Sequence, residues 1–366
     1  MSLSVFVPRL TDANNTNPQI ANAKALLLRW PDDSVRVTAL HYGTPDPKLR
    51  EKNEIFLVKL WRWRFWRASM FLAYQGRYDA IFYPGADIAD DLGWRFRDWT
   101  GRRVPIIATL EGLVGNLERE QQYSEWAGHS VYCQRVPSEV IARCDRVVGR
   151  ADRIIALSPF LARIGRQAYG EKFEVLPLGI ERNIFNDQGR APKDSFSVVG
   201  CGRLYDNKRP DLFLQLALRF PSVEFTWYGD GEMRSPLLHE KQRLGLKNVH
   251  FPGSVSPFHL ADAFRRAHLF VLPSLSEGAP KVLQEASACG LPVICFGFYE
   301  TPHVVDGENG FVVWDDEQLF FRVEQLLNDP ALAERLGKRG AEMARSWDWD
   351  IVAPQWLAAV SGVLNG

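Results

Sequence analysis

Short apolar runs recur along this chain and alternate with longer segments of helix-forming residues. That alternation predicts parallel sheets covered by helices, because two parallel strands need a crossover connection between them. In the first half the predicted strands are Val5–Val7, Val35–Leu40, Ala80–Tyr83, Val104–Thr109, Arg153–Ala156 and Phe173–Leu176. A chain of 366 residues exceeds one typical domain, so two domains are expected.

Residues 181–195 interrupt the pattern with a polar stretch, which is the best linker candidate. A second alternating series follows, with predicted strands at Ser197–Val199, Glu224–Tyr228, Val249–Phe251, Leu269–Leu272, Pro292–Cys295 and Gly310–Val313. The sequence therefore predicts an α/β chain of two Rossmann-like domains that face each other across a cleft. Residues 1–185 form the first predicted domain, and residues 186–346 form the second.

The composition indicates which kinds of partner the protein binds and in which cell compartment it is expected. Lys and Arg number 44 against 44 Asp and Glu, which speaks against bulk electrostatic binding to nucleic acid and leaves only a local basic patch open. The five cysteines are scattered without a C-x-x-C pair, as in a cytosolic protein with reduced thiols. A strand signal begins at Leu3, and no apolar run reaches the length of a membrane-spanning helix. We therefore expect a cytoplasmic protein.

The segment 269–294 carries the strongest functional signal. Its apolar run predicts a buried strand, glycine and proline then break the chain, and a helix follows over Lys281–Ala288. Glu277 therefore lies at the carboxyl end of a strand and Glu285 inside the next helix. In an open α/β sheet that edge binds ligands, and carboxylates accept hydrogen bonds from sugar hydroxyls. Two glutamates near one helix are ordinarily a solvated face, and it is the ordered combination of elements that favours a ligand site.

Backbone N–H groups at the start of that helix favour the same conclusion. The N–H groups of Gly278, Ala279 and Lys281 point from a helix N-terminus, where a phosphate or sugar oxygen binds well. Pro280 lies between them and breaks the chain before the helix.

A second cluster follows the first strand of the second half. A dinucleotide fingerprint needs a third glycine at the position of Tyr205 and a helix directly after it, so a nicotinamide enzyme is rejected. Gly200 and Gly202 let the backbone approach a ligand closely, and Arg203 and Lys208 offer two cations beside it. Pyrophosphate is the natural partner of such a pair. The alternative is two solvated cations on a surface loop.

Together these segments resemble the donor-binding signature of retaining glycosyltransferases with the GT-B fold, specifically glycosyltransferase family 4. The resemblance is strong over roughly residues 197–315. It implies a nucleoside-diphosphate sugar donor, with Glu285 binding the ribose hydroxyls and Glu277 binding the hydroxyls of the donor sugar. It also implies that Arg203 and Lys208 stabilise the leaving diphosphate, which replaces a metal ion, so no metal or other cofactor is expected. Retention through front-face attack, with the donor phosphate as base, is a further implication.

The resemblance assigns several turn positions to the donor site. Gly229 and Gly231 form a Gly-x-Gly turn near the nucleotide, and Gly253 and Val255 lie in the segment whose backbone contacts the base. Residues 298–303 stand where many relatives carry a Gly-Gly turn, so the local geometry is expected to differ there.

The last stretch, 347–366, resembles the family's terminal helix, which packs back on the first domain. The D-x-D sequence of Asp348 and Asp350 has no strand before it, so we interpret it as a helix N-cap rather than a metal motif.

The acceptor side gives weaker signals. Asp12, Asn14, Asn15 and Asn17 form a polar loop after the first strand, which suits an acceptor or, equally, a turn. Glu111 follows another strand, where many relatives carry a histidine. It either contacts the donor sugar or acceptor, or caps a helix.

The segment Ile55–Tyr74 predicts an amphipathic helix. Leu57, Trp61, Phe65, Ala68 and Leu72 recur at helical spacing as one buried stripe. The opposite face is cationic and aromatic, as suits an anionic membrane surface, and comprises Lys59, Arg62, Trp63, Trp66 and Arg67. The alternative is that the tryptophans pack under neighbouring loops and the cations are solvated.

The sequence thus predicts a retaining glycosyltransferase that builds polysaccharides or glycoconjugates by moving a sugar to a glycan or lipid-linked acceptor. Two alternatives remain. A non-catalytic protein would bind the nucleotide sugar without transferring it, and a GT-B-fold sugar-nucleotide epimerase would turn over donor without acceptor. The epimerase needs acid–base groups that the sequence does not reveal. Hydrolysis of the donor to free sugar separates these alternatives.

Overall fold

The computed structural model describes residues 3–10, 18–31, 33–41, 48–49, 55–59, 78–85, 94, 97–98, 101, 103–112, 138–192 and 194–362. These residues fall into two compact units. The first unit holds the described residues up to 112 together with 138–179 and 349–362, and the second holds those from 180 to 348. The chain therefore changes unit after Gly179 and after Asp348, whereas the sequence placed the changes after 185 and 346.

Among the described residues of the first unit, seven parallel strands form a sheet in the order β3-β2-β1-β4-β5-β6-β7. These strands are β1 Leu3–Leu10, β2 Val35–His41, β3 Ile55–Lys59, β4 Ala80–Tyr83, β5 Ile106–Leu110, β6 Arg153–Ala156 and β7 Phe173–Val175. The helices described before residue 180 are α1 Pro18–Leu27, α2 Ser138–Arg150 and α3 Pro159–Tyr169. Every residue of β4 and β5 is buried, because a parallel sheet is covered on both faces.

The run Ile55–Lys59 is a strand, so the prediction of an amphipathic helix starting at Ile55 was wrong. It pairs in parallel with β2 over its whole length. Ile55, Phe56 and Val58 are strong strand formers, and periodicity alone does not separate a strand from a helix in so short an apolar run. Lys59 ends this strand; the other members of the predicted cationic face, Arg62, Trp63, Trp66 and Arg67, lie outside the described residues.

Six parallel strands form the sheet of the second unit, in the order β10-β9-β8-β11-β12-β13. These strands are β8 Ser197–Cys201, β9 Glu224–Tyr228, β10 Val249–Gly253, β11 Leu269–Leu272, β12 Val293–Phe296 and β13 Gly310–Val313. The helices of this unit are α4 Asp211–Arg219, α5 Arg234–Arg243, α6 Pro257–Arg266, α7 Lys281–Ala288, α8 Asp316–Asn328 and α9 Pro330–Met343. Central β11 and β12 are wholly buried, whereas edge strand β10 alternates between buried and exposed residues.

Each sheet has a topological switch, between β1 and β4 in the first and between β8 and β11 in the second. On either side of a switch the crossover connections run in opposite directions, which leaves a crevice at the carboxyl ends of the two strands. Both motif-rich segments of the second unit leave the sheet at its switch, because one follows β8 and the other follows β11.

The terminal helix, α10 Trp349–Gly362, belongs to the first unit. The indole Nε1 of Trp356 donates to the Pro177 carbonyl at 2.9 Å, and the Arg29 Nε donates to Asp350 at 2.7 Å. Asp348 directly precedes this helix, and its predicted role as a side-chain cap stays a prediction. Within the described ranges, no helix combines the length and the hydropathy needed to cross a membrane.

Candidate functional site

The loops that leave β8 and β9 pack backbone against backbone. The Gly202 N–H donates to the Tyr228 carbonyl at 3.0 Å. A Cβ on Gly229 would lie 2.0 Å from the Gly202 carbonyl oxygen, and a Cβ on Gly231 would lie 2.6 Å from that of Leu204. Gly202 and Gly229 also have φ values of +153° and +138°, which favour glycine. The packing of the two loops therefore accounts for these glycines without a ligand.

A largely buried ion pair joins the loops that leave β8 and β11. Lys208 ends the 3₁₀ turn Asp206–Lys208, and its Nζ donates to the Glu277 Oε1. The two side chains are only 19% and 11% exposed. The Leu275 N–H also donates to the Asn207 carbonyl at 2.8 Å, so the loops are tied through the backbone as well. The sequence predicted both charged residues as separate ligand contacts, and the structure pairs them with each other.

Glu285 belongs to the same neighbourhood. It lies inside α7, where burial raises the pKa of its carboxyl group and the charge of Lys281 opposes that shift. The Cys201 thiol at the end of β8 has a pKa raised to about 12, mainly by burial, with a contribution from Glu285 and an opposing one from Lys208. Lys208 pairs with Glu277 in the loop that leads into α7, and Glu285 lies in α7 itself, so Lys208, Glu277 and Glu285 form one cluster at the switch of the second sheet.

Arg203 lies beside this cluster on the same loop. Its side chain is exposed, and the guanidinium carbon lies 5.1 Å from the centre of the Tyr205 ring. It is therefore a cation that a ligand can reach. Arg203 lies over the Tyr205 ring whereas Lys208 pairs with Glu277, so the structure holds the two predicted cations in different ways.

The base-side segment adjoins the glycine turn. The Gly229 N–H donates to the Gly253 carbonyl at 2.9 Å, and Gly253 itself has a φ of +94°. Val255 follows in the loop before α6. The predicted nucleotide-side residues of β9 and β10 are thus neighbours in space.

The approach to α7 is compact. Gly278 and Ala279 are partly buried, whereas Pro280 is buried and accepts from the Leu283 N–H at 3.0 Å. Lys281 starts the helix, as predicted.

The predicted departure at 298–303 has a defined form. A 3₁₀ turn, Gly297–Tyr299, follows β12, and Glu300 then adopts a φ of +43°. Asn309 fixes the loop that follows, since it accepts from the Val305 N–H at 2.8 Å and donates to the His303 carbonyl at 2.9 Å. A bulky turn thus occupies the segment whose geometry was expected to differ from the family.

Sequence reasoning missed one prominent ion pair near the cluster. Arg209 donates from both terminal nitrogens to Asp316 at 2.7 and 2.9 Å. Arg209 follows Lys208 directly, and Asp316 opens α8. Nothing local in the sequence indicates this pairing, because 107 residues separate the partners.

The first-unit candidates are only partly described. Glu111 directly follows β5 and is partly buried. Asp12, Asn14, Asn15 and Asn17 lie outside the described residues.

Cofactor dependence stays a prediction. In the part of the chain that the structure describes, no group of three His, Cys, Asp or Glu side chains lies close enough to hold a metal ion.

Comparison with known proteins identifies the family. Residues 181–343 match the family model described as glycosyl transferases group 1. The D-inositol 3-phosphate glycosyltransferase of Paenarthrobacter aurescens (strain TC1) is 31% identical over 329 residues, covering 79% of this chain and 75% of that protein. The chain belongs to the group 1 glycosyl transferases.

Solved structures confirm the expected fold of this group 1 glycosyl transferase. Sucrose-phosphate synthase from Thermosynechococcus elongatus superposes over 100% of both chains, with a TM-score of 0.78 and 19% identity. Anabaena HepE, solved in complex with UDP-glucose, covers 98% of this chain and 100% of its own, with a TM-score of 0.74 and 16% identity. These likenesses show that the chain has the GT-B fold.

Proposed function

We propose that this group 1 glycosyl transferase moves a sugar from a nucleoside-diphosphate sugar to a glycan or lipid-linked acceptor, with retention of the anomeric configuration. The observation that carries the proposal is the cluster of Lys208, Glu277 and Glu285 at the switch of the second sheet. A ligand crevice is expected at that point of a parallel sheet. The UDP-glucose complex of HepE, which has the same fold, supports a nucleotide-sugar donor here.

Two cations on the loop after β8 would bind the diphosphate of the donor. Lys208 keeps two further N–H donors beyond the one given to Glu277, and Arg203 offers an exposed guanidinium on the same loop. Both would bind the diphosphate and stabilise the negative charge that develops as it leaves. Fixed cations in these places take the role that a divalent metal has in other transferases, so we propose a reaction independent of metal.

Glu285 would hold the ribose. Burial raises the pKa of its carboxyl group, which means that the ionised form lacks the hydration it would have in water. Glu285 is partly exposed, so two ribose hydroxyls could donate hydrogen bonds to its carboxylate.

Glu277 would face the donor sugar. One of its oxygens accepts from Lys208, which leaves acceptor capacity for sugar hydroxyls. The same ion pair would thus orient the diphosphate through its ammonium and the sugar through its carboxylate.

The acceptor side of the proposal rests on fewer observations. Glu111 would contact the donor sugar or the acceptor, and the polar residues Asp12, Asn14, Asn15 and Asn17 would bind the acceptor. The cationic and aromatic residues from Lys59 to Arg67 would bring the protein to an anionic membrane surface on the cytoplasmic side. The relative from Paenarthrobacter aurescens bears the name of a glycosyltransferase of D-inositol 3-phosphate, so inositol phosphates belong in any acceptor panel.

A donor assay tests the proposal. The purified protein is incubated with UDP-, GDP-, ADP- and dTDP-sugars, with and without acceptors, in EDTA. Transfer or slow hydrolysis of one donor is expected, with NMR showing that the product keeps the anomeric configuration of the donor. Inversion would contradict retention. Binding without transfer or hydrolysis would favour a non-catalytic protein, and interconversion of the free donor would favour an epimerase.

A further inference from the structure

Arg209 has a backbone conformation that its side chain disfavours. Its φ is +48°, and only Arg209 and Glu300 among the described non-glycine residues have positive φ values. The left-handed region crowds Cβ against the following carbonyl, so it costs free energy for every residue that has a Cβ. Such strain persists only where the surrounding structure imposes it, and it clusters at functional sites.

The Arg209 side chain is fixed by two acidic partners. Its guanidinium makes two parallel hydrogen bonds to Asp316, at 2.7 and 2.9 Å, and a longer ion pair of 3.7 Å to Asp211. It is only 18% exposed, against 35% for Asp316. Although burial disfavours the charged form, the hydrogen bonds with Asp316 raise the pKa of Arg209 above its ordinary value. A bidentate pair of this kind fixes direction as well as distance.

The partner of this pair lies on a rigid element. Asp316 is the first residue of α8, and the preceding Asp315 caps that helix by accepting from the Gln318 N–H at 2.7 Å. The Gln318 side chain in turn accepts from the Trp314 N–H at 3.1 Å. This reciprocal cap anchors the start of α8 to the end of β13.

Arg209 is also the joint between the turn that carries Lys208 and the next helix. Its N–H donates to the Asp206 carbonyl at 2.9 Å and closes the 3₁₀ turn, while its carbonyl accepts from the Leu212 N–H at 3.1 Å in α4. The torsion angles of Arg209 therefore set the direction in which the turn presents the Lys208 side chain.

We propose that Arg209 and Asp316 form a clamp that positions Lys208 for the diphosphate of the donor. The inference rests on the proposed function, because it assigns a role within the same donor site. Arg209 is a positioning residue: it acts through the backbone of Lys208 and does not touch the nucleotide. The clamp should therefore matter for ligands that carry phosphates and not for the nucleoside alone.

Calorimetric titration of variants tests the clamp. Arg209→Gly removes the guanidinium while providing the residue that best tolerates the left-handed conformation, so the variant is expected to fold. Asp316→Asn is isosteric, breaks the clamp from the other side and serves if Arg209→Gly fails to fold. Each is expected to weaken binding of the preferred nucleoside diphosphate by about tenfold and to change affinity for the matching nucleoside by less than about twofold. The double variant should be no weaker than either single variant, because both remove one interaction.

A matched control lies on α8, the helix that carries Asp316. Arg322 stacks over Phe311 with its guanidinium carbon 4.1 Å from the ring centre, and Arg322→Gln should leave both affinities unchanged. Clamp variants that fold and bind the diphosphate as tightly as wild type would overturn the clamp while leaving the donor site intact. Equal weakening for nucleoside and diphosphate would also overturn it, since that indicates a general structural role. If wild type binds none of UDP, GDP, ADP and dTDP, the proposed function and the clamp both fail.

Discussion

The two sheets follow the same strand order but differ in the residues that leave their strands. When the strands of each sheet are numbered along the chain, both sheets have the order third, second, first, fourth, fifth and sixth, and the first sheet adds a seventh strand at its edge. The second sheet places Lys208, Glu277 and Glu285 at its switch, whereas in the first the sequence after β1 is rich in asparagine. The shared order shows where a ligand binds in such a sheet, and the loop residues decide which ligand.

The largest effect in a test of this comparison is expected from a methyl group added to the glycine turn of the second unit. Gly229→Ala would set a Cβ 2.0 Å from a backbone oxygen at a φ of +138°, so we expect a loss of more than about 3 kcal/mol and no nucleotide binding. Gly170→Ala in the first unit is the control. Its φ is +86° with a ψ of −173°, but nothing lies within 4 Å, so the strain alone should cost about 1–3 kcal/mol in denaturation, with unchanged binding in calorimetry. Equal effects would show that torsion strain, rather than loop packing, explains Gly229.

Acid should destabilise the second unit through His303. Burial lowers the pKa of this histidine to about 4, whereas in the unfolded chain it is near 6.5. The unfolded chain therefore binds the proton first, and stability is lost as the pH falls from about 6.5 toward 4. The loss approaches about 3 kcal/mol at the lower end.

Hydrogen exchange at pH 7 and pH 4.5 measures this loss unit by unit. In His303→Gln the second unit should lose less stability on acidification than in wild type, and the first unit should respond equally in both proteins. An unchanged acid response of the second unit in the variant would contradict this assignment to His303.

We expect Glu285 to lower the stability of the protein without nucleotide and to strengthen nucleotide binding. Because burial raises the pKa of its carboxyl group, the charge costs stability at neutral pH while the site is empty. Glu285→Gln should therefore melt higher without nucleotide, and should bind the nucleoside diphosphate about 1–3 kcal/mol more weakly. The exposed Glu324→Gln on α8 is the control and should change neither quantity. A variant that melts lower and binds normally would place Glu285 outside the nucleotide site.

The smallest expected effect on nucleotide affinity is that of Glu277→Ala. Removing this carboxylate frees the Lys208 ammonium from its partner, which offsets any loss of order, so affinity for free diphosphate should stay within about twofold. Sugar transfer should fall strongly, because the donor sugar loses its carboxylate. If free diphosphate bound as weakly to this variant as to Glu285→Gln, the division of roles between the two glutamates would be wrong.

The sequence predicted the sheets well because their strands are buried on both faces. Such strands read as continuous apolar runs, and every predicted run overlaps an observed strand. The missed strand β3 shows the limit, since a short apolar run fits a helix and a strand equally. The polar stretch 181–195 was predicted as a linker, yet Phe185 within it is buried and packs against Phe264, with the ring centres 6.3 Å apart. Composition alone does not reveal such a tertiary contact.

The sequence singled out individual candidate residues of the site but not the pairs that they form. The charged residues at the second switch stood out because they follow predicted strands in an order that favours a site for a phosphate- and sugar-bearing ligand. The ion pair of Lys208 with Glu277 joins residues 69 positions apart, and the clamp of Arg209 with Asp316 joins residues 107 apart. The left-handed conformation of Arg209 had no signal either, because no glycine marks the position.

Thermal unfolding with UDP, GDP, ADP and dTDP tests the central claim most directly. A ligand that binds only the folded state raises the melting temperature, and the rise grows with the ratio of its concentration to its Kd. We expect one diphosphate to raise it equally in EDTA and in magnesium, and we expect that shift to be lost in Arg203→Ala. No shift with any of the four would contradict a nucleotide-sugar site at the second switch, and a shift seen only with magnesium would contradict catalysis without a metal.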